Sequence, residues 1–203
     1  METHRKSTIE KNKVHDLQFY GYVVIILFFL LLVGCKGPMS YMRPSADFTY
    51  IKRVAVAPMI NLTNDKFAGD RVMNVVATEI LRRGIFDVVE FGEVEKVLRE
   101  EGLREDKLVS KNIAARAGKR LNIEAIIIGS VMEYGAPRLG SSPLPEVSIT
   151  LKLMDVSSYT ILWEATHNVK GTNILDQLFG ICRESPEDLC REVVEEIFDT
   201  LFG

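Results

Sequence analysis

The chain has 203 residues, 47% of them hydrophobic and 26% charged, with a formal net charge of −3. Once a leader is set aside, that length makes one domain with a real core. So mild an acidity leaves no electrostatic footprint for nucleic acid.

The first feature in chain order is the apolar run Tyr22 to Val33, twelve residues long. A bilayer-spanning helix needs about 20 apolar residues, so the run is too short to cross. It fits the apolar segment of a secretory signal, with Arg5, Lys6, Lys11 and Lys13 ahead of it. Leu32-Val33-Gly34-Cys35 follows, in the form of a bacterial lipobox. A branched residue stands at −3, a small one at −1, and then comes the cysteine that is lipidated and becomes the mature N-terminus. An uncleaved membrane anchor, or a core helix with a chance cysteine, would not need length, flanks and cysteine to agree.

Residues 1–34 are therefore read as a lipoprotein signal peptide and left out of the fold. Their long basic lead also fits a start codon assigned upstream of the true one. They hold four basic and three acidic side chains, so the remaining 169 residues (203 − 34) carry −4 (−3 − 1). With Cys35 assigned to lipid, Cys182 and Cys190 are left as an even pair in an oxidising compartment. They either form a disulfide or stay as two half-buried thiols.

Residues 35–50 contain Gly37, Pro38 and Pro44 and show no period, which reads as a flexible tether to the membrane. Residues 51–203 then read as an α/β domain. Arg53 to Met59 is a β-branched strand ended by proline chemistry, and Asn61 to Asp65 is a loop. Val72, Val75, Val76 and Ile80 recur at helical spacing over Ala68 to Arg83, with Gly84 closing the helix. Phe86 to Glu90 is a second strand, and Glu93 to Glu101 a short helix. Ser110 caps a third helix running to Leu121.

Ala125 to Met132 is apolar on both alternating faces, the signature of a central strand covered on both sides, with Ile126, Ile128 and Val131 buried. Gly129 within it marks a close approach. Gly135 to Pro145 is a loop rich in Gly, Pro and Ser. Val147 to Met154 alternates as a strand, and Thr160 to Val169 pairs back as its hairpin partner. Ser185-Pro186-Glu187-Asp188 opens the last helix with a cap, a first-turn proline and early acids. The order β-α-β-α-α-β-β-β-α predicts a single α/β domain, a mixed sheet with packed helices.

Groups able to carry catalysis are few. The mature chain has one histidine, His167, on an expected strand, where a solvated or satisfied side chain is the ordinary reading. No His, Cys or carboxylate cluster has metal-ligand spacing, Gly118-Lys119-Arg120 lacks the upstream glycine of a phosphate loop, and there is no Gly-x-Ser-x-Gly elbow. Trp163 alternates with Ile161 and Ala165 and reads as core. The expectation is no enzyme, no cofactor and no metal.

Several blocks in order carry a resemblance: IKRVAVAPMINLTND, FDVVEFGEVEKVLREEGL, LNIEAIIIGSVMEYG and VSITLKLMDVSSYTILWEATH. Together they resemble the curli-secretion lipoprotein superfamily (CsgG-type). That superfamily includes the lipoprotein activators of penicillin-binding proteins (LpoB-type) and domains like the N-terminal part of TolB. The resemblance spans Ile51 to Leu201 and implies a membrane-tethered α/β domain acting through protein contacts. General lipoprotein sorting would send it to the periplasmic face of the outer membrane, since Lys36 rather than Asp follows the cysteine.

One departure bears on mechanism. Secretion channels of this superfamily insert long hairpins, whereas Gly135 to Pro145 is 11 residues with three prolines. A single membrane-spanning strand takes about 9–11 residues, so this chain cannot build the pore alone. Two functions stay open. One is an envelope-assembly protein docking onto another envelope protein, a secretion component or a peptidoglycan synthase, with homo-oligomers allowed. The other is a module binding a small ligand, peptide or glycan in a crevice near Asn61–Phe67 and Gly135–Pro145. Expected contact residues are Asn61, Asn64, Asp65, Arg138, Leu139 and Leu144.

Overall fold

The run expected to be central forms the longest strand, and the sheet is assembled around it. The computed structural model describes residues 37–44, 46–104, 108–139, 142–171 and 185–202. Cys35 and Cys182 lie outside these residues. In chain order the elements are β1 Met39–Met42, β2 Arg53–Val56, β3 Ile60–Asn61, α1 Ala68–Arg83, β4 Asp87–Val88, α2 Phe91–Glu100, α3 Lys111–Leu121, β5 Ala125–Gly135, β6 Arg138–Leu139, β7 Ser142–Pro143, β8 Glu146–Asp155, β9 Ile161–Lys170 and α4 Pro186–Phe202.

Local chemistry sets the helix ends. Gly84 adopts φ +65° and donates its N–H to the carbonyls of Ile80 and Leu81, closing α1. Ser110 accepts from the Ile113 N–H at 3.4 Å and opens α3. Ser185 and Asp188 exchange bonds at the start of α4, the hydroxyl accepting from the Asp188 N–H and donating to its carboxylate. Glu90 accepts from the Glu93 N–H at 3.0 Å, so α2 begins at Phe91, two residues earlier than periodicity predicts.

The sheet is mixed, in the order β1-β9-β8-β5-β2-β4, with β3 also on β5. β5 pairs antiparallel with β8 from Ala125↔Asp155 to Gly135↔Glu146, and parallel with β2 and then β3 along its other edge. Pro58 interrupts what is in effect one strand, because it has no N–H to give the ladder. The ladder resumes with the Leu62 N–H donating to the Val131 carbonyl at 2.9 Å.

Two cores lie on opposite faces. Val72, Val76 and Ile80 of α1 and Val193, Val194 and Ile197 of α4 bury Ile127, Val131, Ile149, Leu151 and Trp163. Val94 and Leu98 of α2 and Ala114, Ala117 and Leu121 of α3 cover Ala55, Ile126 and Met154 on the other face. Trp163 is fully buried, as expected, and its Nε1 donates to Thr200 Oγ1 at 3.0 Å. His167 is a satisfied core side chain, its Nε2 lying 2.5 Å from Glu196 of α4.

The structure corrects two expectations. Ile126 and Val131 are fully buried, but Ile128 is only half-buried. It is paired with Lys152, and there the second face carries polar pairs in place of helix: Lys152–Glu164 at 3.0 Å and Thr150–Thr166 at 2.8 Å. Residues 35–50 do not remain a tether throughout. Met39–Met42 pair antiparallel with Thr166–Trp163 of β9, an edge pairing invisible to a local reading of Gly/Pro content.

Tyr50, three residues ahead of β2, is held down by Asp155. Burial by itself would raise the pKa of this carboxylate. The Ser158 N–H, the Ser157 and Ser158 hydroxyls and the Tyr50 phenol donate to it at 2.6–2.7 Å and outweigh burial, lowering it to about 2. A depressed folded pKa stabilises above the unfolded value and is lost as pH falls through the folded one.

Two predictions follow from this packing. A Cβ at Gly129 would stand 2.6 Å from the Thr150 carbonyl oxygen and 2.8 Å from Met59 Sδ. Gly129→Ala should therefore lower stability by about 1–3 kcal/mol, read as an earlier urea midpoint, and an unchanged midpoint would reject the close approach. Asp155→Asn should lower the melting temperature at pH 7, with a loss of roughly 2 kcal/mol. That deficit should shrink between pH 4 and pH 2 as the native carboxylate protonates.

Candidate functional site

The loop after β3 is organised by its own polar side chains. Asn61 Oδ1 accepts from the N–H and hydroxyl of Thr63 at 3.0 and 2.8 Å, while its Nδ2 donates to the Asp65 carbonyl at 2.7 Å. Asp65 accepts from the Phe67 N–H at 2.9 Å and pairs with Arg71 at 3.1 Å, which also reaches Glu187 of α4 at 3.3 Å. Asn61 and Asp65 thus shape the loop, while Asn64 is exposed.

Leu62 is 65% exposed and Phe67 51% exposed, with the Lys66 ammonium 4.8 Å from the Phe67 ring. Phe67 occupies the N-cap position of α1 without offering a side-chain acceptor. An aromatic ring where Ser, Thr, Asp or Asn would stabilise the helix is a local inconsistency of the kind that marks contact surfaces. That signal was present in the sequence, at Lys66-Phe67-Ala68, and periodicity alone passes over it.

Beside this loop runs a groove of about 590 Å³. The β3 segment lies between α1 and α2 there, because β4 pairs only with Arg53 and Val54 and leaves the rest of that edge uncovered. The ladder directs Ile60 toward β5, so the backbone groups of Met59 and Asn61 point to the groove side. Phe91, Glu95 and Arg99, at four-residue spacing, present one stripe of α2 to it. Glu95 and Arg99 pair at 2.6 Å, and Lys66, Asp70 and Arg104 complete a mixed-charge rim around apolar Ile60, Leu62 and Leu103. Such a lining offers contacts and orientation to a bound chain or ligand.

The second expected loop is a small hairpin in which Arg138 and Leu139 of β6 pair with Pro143 and Ser142 of β7. Leu144 is half-buried, and its N–H donates to the Pro137 carbonyl at 3.0 Å. Arg138, Leu139 and Leu144 follow the C-terminal end of β5, at the same end of the sheet as Asn61 and Asp65.

Catalytic chemistry finds little here. Among the described residues no group of three or more His, Cys, Asp or Glu side chains is placed to hold a metal ion. Cys190 is buried in α4 with no disulfide partner among the described residues, and burial pushes its thiol pKa up to about 12, far from thiolate reactivity. Nor is any helix among them long and apolar enough to cross a membrane.

Comparison with solved structures shows the fold. The PelC dodecamer from Paraburkholderia phytofirmans superimposes with a TM-score of 0.59 at 19% identity, covering 82% of this chain and 98% of that one. Lipoprotein GNA1162 from Neisseria meningitidis does so with 0.55 at 15%, covering 74% and 98%. A search of curated proteins finds no match. The family model described as "Peptidoglycan-synthase activator LpoB" matches residues 38–169. That match begins one residue ahead of β1 and runs almost to the end of β9, well over half of the chain. The chain therefore belongs to the LpoB family of peptidoglycan-synthase activators, which act as activators rather than as enzymes.

Proposed function

We propose that this chain is a lipid-anchored envelope protein, on the periplasmic face of the outer membrane, that docks onto a peptidoglycan synthase and raises its activity. The observation that carries this reading is the family match over residues 38–169. The exposed pair Leu62 and Phe67, beside a groove with an uncovered strand edge, supports it with a surface suited to protein contact. A secretion-channel role draws no support from the β6–β7 hairpin, whose strands are two residues each. A membrane-spanning strand takes about 9–11.

The groove itself favours a second reading, in which it takes an extended peptide or a glycan strand. Both readings place the contact at the same surface, and they differ in whether synthase activity responds.

Adding the purified lipidated protein to a bifunctional synthase of the same bacterium should speed glycan polymerisation. Replacing both Leu62 and Phe67 by Asp should weaken docking roughly 30- to 700-fold, since exposed anchors at an interface are worth about 1–2 kcal/mol each. The variant's melting temperature should not fall, because both side chains are more than half exposed and Asp at position 67 supplies the N-cap acceptor that α1 lacks. Full stimulation by the variant would move the contact elsewhere, and no stimulation by the parent protein would reject the activator reading.

The anchor is tested separately. Cys35→Ala should leave the precursor uncleaved at Gly34 and without lipid. Mass spectrometry of the parent protein should show an acylated chain starting at Cys35.

A further inference from the structure

The strand that follows the proposed anchor is also the outer edge of the sheet. β1 pairs only with β9 among the described residues, so its other edge leaves alternate backbone groups unpaired. Met39 is 79% exposed, Tyr41 52% and Met42 43%. Soluble edge strands are ordinarily guarded by an inward charge or by being covered. This one carries Met-Ser-Tyr-Met, with the cations Lys36 and Arg43 just outside it.

Only Lys36, Gly37 and Pro38 separate Cys35 from Met39. By chain length alone, four residue steps span at most about 14 Å. The hydrogen bonds from β1 to β9 then leave no further slack, since the Arg43 N–H also donates to the Leu162 carbonyl at 3.0 Å. A lipid on Cys35 would hold the domain by its sheet edge at headgroup depth.

We propose that the β1 edge is a membrane-seating surface. Met39 and Tyr41 rest in the interfacial layer of the leaflet that holds Cys35, and Arg43, exposed just after the strand, faces its phosphate headgroups. This rests on the reading of Cys35 as lipidated. Tyrosine suits that layer because its ring is apolar and its hydroxyl stays wet. Met39 and Tyr41 share the sheet face that carries Thr166 and Glu164, opposite α1 and α4, so both can reach the lipid together.

The opposite edge, β4, is five strand spacings away, about 24 Å at the usual interstrand distance. The groove beside β3 and α2 opens on that far side. Seating at β1 therefore turns the docking groove away from the bilayer.

The test uses the full lipidated chain in phosphatidylethanolamine/phosphatidylglycerol liposomes whose acyl chains carry bromine near the headgroup. Trp163, the only tryptophan and fully buried, is an unquenched internal reference. Tyr41→Trp should lose about half of its added fluorescence, as expected of a ring at headgroup level. Ile85→Trp, two residues ahead of β4 and also exposed, should lose none. Flotation with the liposomes but equal, unquenched signals at both positions would overturn the seating while leaving the anchor standing. Concentration-dependent crosslinking through residue 41 without quenching would assign the edge to a second copy and overturn it equally. Failure to float would remove the anchor, and the seating with it.

Discussion

The structure depends on β5 being buried on both faces where it crosses the middle of the sheet. Ala125, Ile126 and Ile127 are fully excluded from water, with Ile127 under α1 and α4 and Ile126 under α2 and α3. Burying such side chains is the main favourable term in folding. It also obliges every backbone polar group of the strand to find a partner in the ladder. β8 supplies those partners on one side, and β2 with β3 on the other. Gly129 lets Thr150 and Met59 close in where a larger residue could not.

From that centre the two sides of the sheet diverge. Toward β4 the second face is covered by α2 and α3, and the short β4 leaves a groove over β3. Toward β1 the second face is lined by ion pairs and hydroxyls instead of helix. Surface pairs like Lys152–Glu164 add little stability, but they keep an uncovered face soluble. β1, by contrast, exposes Met39 and Tyr41 on that face. The proposed seating edge and the proposed docking groove thus lie toward opposite edges of one sheet.

Electrostatics holds the periphery more than the core. Glu79 is buried beside Arg82 and Arg83, and those arginines also reach Glu195 and Asp199, joining α1 to α4. Arg116 and Arg120 clamp Glu100 and Glu101 and tie α3 to the C-terminal end of α2. Asp155 does the same for the β8–β9 turn and the segment before β2. Each joins elements distant in sequence, which is why charge spacing along the chain does not reveal them.

Much of this was legible in the amino-acid sequence, wherever the controlling physics is local. Gly84, Ser110 and Ser185-Pro186 mark helix ends because capping involves residues within one turn. The run Ala125–Val131 reads as central because hydrophobic pattern is a property of the segment itself. What only the tertiary structure decided is who pairs with whom. Met39–Met42 became a strand because β9 presents a free ladder to it, and Ile128 stayed half-buried because it sits at the border of the α2–α3 core with Lys152 as its register partner. The groove exists because β4 stops at two residues, and Asn61 and Asp65 turned inward to hold their loop, leaving Leu62 and Phe67 as its exposed face. Register, cover and edge length are relations between distant segments, and no single segment contains them.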